Sequence, residues 1–144
     1  MTARHVAAIA ALPIVLMICT PSGAPAQQPA GTEQAVTSFV VALQRAVRAG
    51  DRAGVARLTH FPLRVNHGPK VHQLVRTSAA LQAGYAAIFI SRVRDAILAQ
   101  KPDRAALGPQ GISIALGAVW AQMVCAPQSR RGCRVELASV NIDR

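Results

Sequence analysis

The spacing of apolar residues changes period along this chain, and that change most limits what it can fold into. Val36, Phe39, Val40, Leu43 and Val47 recur three or four residues apart, as do Leu81, Tyr85, Ile88, Phe89, Val93 and Ile97. That spacing lays one apolar stripe along a helix. Beyond Gly111 come three apolar runs, Ile112 to Leu116, Ala118 to Cys125 and Arg134 to Ile142, divided by Gly117 and by the segment between Cys125 and Cys133. Short runs bounded by turn residues predict an antiparallel meander. Helices followed by such strands predict an α+β domain, its helices packed on one face of a curved sheet. A chain of 144 residues has room for one such core.

Local signals fill in the order. Thr32 suits the cap of the first helix, Glu33 its positive end, and Arg45 and Arg48 its negative end. Gly50 ends it, and Asp51 is placed to cap a short second helix that turns Val55 and Leu58 inward. Phe61 to Val65 alternates apolar and other residues as a strand does, and Pro62 puts that strand at an edge or at its start. Asn66-His67-Gly68-Pro69 marks a turn into a weaker strand, Lys70 to Arg76. Thr77 or Ser78 then opens the longest helix, about Ala79 to Gln100, and Pro102 stops it. Gly84 inside that helix implies a close neighbour, since glycine there costs about 1 kcal/mol relative to alanine.

The N-terminus carries an address. Arg4 and His5 form a basic start, Val6 to Cys19 is an uncharged apolar run, and Ala24-Pro25-Ala26 has the small-x-small cleavage pattern. Residues 1–26 are therefore expected to be a signal peptide, 27–32 a flexible leader and 33–144 a single domain in the periplasm or outside the cell. The run falls short of the roughly 20 residues that span a bilayer, and Pro13 interrupts it. A retained anchor is the competing reading. A lipidated Cys19 is a further one, against which stands the bulk of Ile18. Cleavage leaves Cys125 and Cys133, which an oxidising compartment is expected to join across a turn. Their spacing is not the Cys-x-x-Cys of redox-active pairs.

The stretches FVVALQRAVRAGDRAGVARL, FPLRVN, YAAIFISRVRDAILAQ, GAVWAQMVC and VELASVN follow one another in this order. Together they resemble exported bacterial members of the nuclear transport factor 2-like, cystatin-like cone superfamily, over roughly Glu33 to Asn141. The resemblance implies a bent mixed sheet wrapped around a long helix, a conical cavity, and a homodimer formed through the sheet face. It implies no single reaction, because the superfamily holds isomerases, cyclases, dehydratases and members that only bind, and one fold hosts many functions.

Chemistry-bearing residues are few. His60, His67 and His72 are candidates for proton transfer, but none has a carboxylate nearby in sequence, and the direction of Glu136 on the last strand is ambiguous. Three imidazoles without an acidic or thiolate partner make a poor zinc site. Nucleophile elbows, phosphate loops and dinucleotide fingerprints are absent, so no catalytic residue, metal or cofactor is assigned. Arg64 alternates with the apolar residues of its strand and, if covered, needs an anionic or carbonyl partner, with Asp95 a structural option. With Asn66, Tyr85 and Trp120 it could supply the polar contacts of a ligand cavity.

The charge is +10, from 16 basic and 6 acidic residues. It suits anionic envelope surfaces or acidic partners. With 3% aromatic residues the chain lacks the stacking platforms of nucleic-acid binders. The expected function is a non-enzymatic binding or interaction module for an unidentified small molecule or envelope protein. The alternatives are a small cone-fold isomerase or hydrolyase-like enzyme with a cavity His or carboxylate, and a cationic envelope-binding protein. A lysozyme inhibitor of this charge would meet a basic enzyme with a basic surface.

Overall fold

The computed structural model describes residues 30–126 and 132–143. The expected signal peptide, the leader residues 27–29 and most of the segment between the cysteines lie outside them. The order is α1 (Ala30–Ala49), α2 (Arg52–Arg57), β1 (Thr59–Asn66), β2 (His72–Val75), α3 (Ser78–Ala83), α4 (Tyr85–Ile88), α5 (Ser91–Ala99), β3 (Ala106–Gly108), β4 (Gly111–Ile114), β5 (Val119–Cys125) and β6 (Cys133–Asn141). The fold is α+β, with one mixed six-stranded sheet in the order β2-β1-β6-β5-β4-β3. All neighbours run antiparallel except β1 and β6, which are parallel.

The first stripe lies where expected: Val36, Phe39, Val40, Leu43 and Val47 are all buried. The helix starts at Ala30, three residues before Glu33, so part of the expected leader is its first turn. Extending an anchored helix is cheap once its nucleus exists. Gly50 takes φ +64°, the left-handed conformation that ends a helix, and the Asp51 carboxylate accepts from Gly54 N at 2.8 Å, capping α2.

The long third helix is corrected. Its stripe is buried throughout, from Leu81 to Ile97, but the rod is three short helices. The first break is at Gly84, where a Cβ would stand 3.3 Å from Ala80 O and 3.5 Å from Ile88 Cδ1, the close neighbours expected there. The second is at Phe89 and Ile90, with Ile90 extended. Phe89 and Ile90 are aromatic and β-branched, weaker helix formers than alanine or leucine, and packing decides their backbone instead. Among the described residues the longest helix is α1.

Pro62 is corrected in place. Strand β1 is not an edge, because it lies between β2 and β6. The proline fits because β2 pairs only with Leu63 to Asn66, and the register against β6 shifts between Thr59 and Arg64. Lys70 to Arg76 narrows to four paired residues, His72 to Val75. Strand β3, three residues long, is an addition that pairs with β4. Gly111 opens β4 at φ +120°, and a Cβ there would lie 2.8 Å from Ala121 O, so only glycine lets β5 approach.

Along most of the sheet, core and open faces alternate residue by residue. Leu63, Val65, Ile112, Ile114, Val119, Ala121, Val135, Leu137 and Val140 are buried. Arg64 on β1 and Ser113 on β4 alternate with them and face the other way. Cys125 and Cys133 sit opposite each other in the β5–β6 register and are joined by a disulfide, with Cα atoms 3.9 Å apart.

Candidate functional site

The open face carries the site. Register fixes its central row: Arg64 on β1 and Trp120 on β5 both lie opposite Ser139 of β6, and Asn66 lies opposite Asn141. Arg64 Nε donates to Asn66 Oδ1 at 2.8 Å, Asn66 Nδ2 donates to Asn141 Oδ1 at 2.6 Å, and Asn141 Nδ2 donates to Gly117 O at 2.5 Å. Each amide thus accepts from one neighbour and donates to the next, which fixes the orientation of both and of the guanidinium before them. The pairing of Arg64 with Asp95, a structural option from sequence, is absent among the described residues; the partner is Asn66.

Around this relay is a groove of about 430 Å³ lined by Arg64, Asn66, Gly68, Pro69, Trp120, Asn141 and Asp143. A shallower space of about 300 Å³ adjoins it, sharing Arg64, Asn66, Trp120 and Asn141 and extending over Gln122 and Ser139. Three of the four candidate ligand residues, Arg64, Asn66 and Trp120, therefore meet. Tyr85 does not join them. It is buried among the helices, its ring stacked on Phe89 at 4.9 Å between centroids, with the Arg52 guanidinium 5.9 Å from its centroid. Its hydroxyl is buried without a hydrogen-bond partner among the described residues. Burial raises its pKa against the lowering influence of Arg94 and Arg52.

Asn141 and Asp143 are additions to the expected contacts. The Asn66–Asn141 pairing depends on the parallel β1–β6 neighbours, which local pattern does not specify. His60, His67, His72 and Glu136 line neither space. No group of three or more potential metal ligands occurs among the described residues.

A second polar cluster lies on the strands beside the groove. Glu136 accepts from His60 Nδ1 at 2.9 Å and also from Arg134 Nε. Its side chain is 8% exposed, while those of His60 and Arg134 are 40% and 76% exposed. Burial pushes the Glu136 carboxyl up, but the hydrogen bonds and charges of Arg134 and His60 outweigh it and hold the carboxyl below the ordinary glutamate range. A folded pKa below the unfolded one stabilises the protein above the unfolded value, and the contribution disappears as pH falls through the folded value. Glu136→Gln is therefore expected to lower stability at neutral pH and to flatten the acid limb below about pH 4.3. Urea midpoints measured from neutral to acid check this; parallel curves for both chains would reject it.

No helix among the described residues is long and apolar enough to cross a membrane. No protein-family model, curated protein or solved structure matches this chain.

Proposed function

We propose that this chain is an exported binding module that takes a small ligand in the groove on the open face of its sheet. The observation that carries the reading is the oriented relay from Arg64 through Asn66 and Asn141 to Gly117 O, set beside Trp120. A guanidinium held in advance loses little freedom when it binds, and an indole offers a flat apolar contact next to it. The His60–Glu136 pair lies outside the groove, which weighs against the isomerase or hydrolyase-like alternative. Charged and polar side chains on this face, Arg64 and Gln122 among them, favour a ligand over a homodimer interface, whose centre is ordinarily depleted of charge.

Export is proposed from the signal-peptide pattern of residues 1–26, and the Cys125–Cys133 disulfide is consistent with it. Membership in the nuclear transport factor 2-like superfamily is proposed from the ordered stretches, with the mixed sheet and its single helix-covered face in support. Association with anionic envelope surfaces is a secondary consequence of the charge, which stays near +9 once Arg4 is removed.

Trp120 is the only tryptophan, so its emission reports on the groove directly. A panel of small organic acids, amines and amino acids is expected to include compounds that change this emission saturably in the parent chain. The response should be lost in Arg64→Ala. A panel without any saturable response, or one unaffected by Arg64→Ala, would reject the reading.

A further inference from the structure

The groove holds two opposite charges that do not pair. Arg64 and Asp143 both line it, yet no ion pair joins them among the described residues. Asn66 holds Arg64 through Nε, and the two terminal nitrogens of the guanidinium make no hydrogen bond among the described residues. Those nitrogens form the fork that matches a carboxylate. Asp143 lies against Gly68, where a Cβ would come within 3.3 Å of Oδ2; glycine at that position leaves the carboxylate room. Its side chain is exposed, and it makes no hydrogen bond or ion pair among the described residues.

From these observations we infer that the groove selects a zwitterion of the α-amino-acid type, with its carboxylate on the Arg64 fork, its ammonium on Asp143 and a flat apolar side chain against Trp120. The inference rests on the binding reading above and names the ligand class for the same groove. A simple anion would satisfy Arg64 but face the Asp143 carboxylate, and a simple cation would meet the reverse conflict. Only a ligand with both ends satisfies both. This matters for a chain of net charge +10, which draws anions of every kind toward its surface. A fixed carboxylate inside the groove turns that general attraction into discrimination. The space of about 430 Å³ falls within the range of small-molecule sites and is ample for one aromatic amino acid.

Three probes separate the ends: L-phenylalanine, 3-phenylpropionate, which lacks the ammonium, and 2-phenylethylamine, which lacks the carboxylate. Binding to the full chain is read by Trp120 emission and by calorimetry. L-Phenylalanine is expected to bind about tenfold or more tightly than either one-ended analogue, the factor for one charged hydrogen bond. Asp143→Asn should erase its advantage over 3-phenylpropionate without weakening 3-phenylpropionate itself. Arg64→Ala should abolish the response to both carboxylates, and Arg64→Lys should restore part of it. Circular dichroism confirms that each variant is folded. Equal affinities for L-phenylalanine and 3-phenylpropionate, with Asp143→Asn silent, would overturn the zwitterion while leaving the groove as a binding site. No response from the parent chain to any of the three would also overturn it, and the broader panel then decides the groove separately.

Discussion

Phe89→Ala is expected to cost about 3–5 kcal/mol of folding stability, the range for truncating a buried aromatic. Phe89 has no exposed surface and sits at the break between α4 and α5, where its backbone leaves the helix. Its ring stacks on Tyr85, so truncation leaves a cavity and removes a partner at once. A domain of this size is typically stable by about 5–15 kcal/mol, so the loss is a large fraction of the whole. Tyr85→Phe is the informative contrast. It keeps the stacked ring and removes only a buried hydroxyl that has no partner, so stability should hold or rise by about 1 kcal/mol. Urea unfolding followed by circular dichroism checks both. Tyr85→Phe falling as far as Phe89→Ala would mean that the hydroxyl is satisfied in solution.

That contrast also shows where local pattern stops being informative. Helical spacing identified every buried position from Leu81 to Ile97, because burial follows periodicity wherever the backbone turns by roughly the same angle per residue. It did not reveal that the backbone breaks twice, since the stripe survives a break when each short helix re-aims its own face. Strand β3 gives no local signal because Ala106-Leu107-Gly108 has no β-branched residue and too few positions to show alternation. Glu136 was ambiguous for a specific reason. Trp120 pairs with Ser139 but Ala121 pairs with Leu137, so Ala138 is an extra residue that breaks the two-residue period. Counting back from Val140 and forward from Val135 then assigns Glu136 to different faces.

Of the candidate ligand residues, alternation along Phe61 to Asn66 correctly set Arg64 apart from the core, and the structure brings it to Asn66 and Trp120. Tyr85 lies on the buried stripe as expected, but a polar tip on an apolar stripe does not reveal whether the tip finds a cavity or is simply buried. The His60–Glu136 contact joins residues 76 positions apart, and nothing local links them. The cysteine pair, by contrast, is legible from the expected export, which leaves two thiols in an oxidising compartment, together with the turn residues between two short apolar runs.

Asn141→Ala is expected to cost about 2–3 kcal/mol, the sum of two part-buried hydrogen bonds at about 1–1.5 kcal/mol each. Its side chain accepts from Asn66 and donates to Gly117 O, so truncation strands a donor and an acceptor together. Gly117 closes a turn in which Ala115 and Leu116 hold φ of +55°, a left-handed conformation costly for residues with a side chain, and the Asn141 amide helps to hold it. The same amide sits at the far end of the relay that orients Arg64. Binding in the groove should therefore weaken in Asn141→Ala although the residue carries no charge. A double-mutant cycle with Asn66→Ala isolates the link, and a coupling of about 1 kcal/mol is expected for two side chains in direct contact. Strictly additive losses would show that the two amides act independently, and that Arg64 owes its position to something other than the relay.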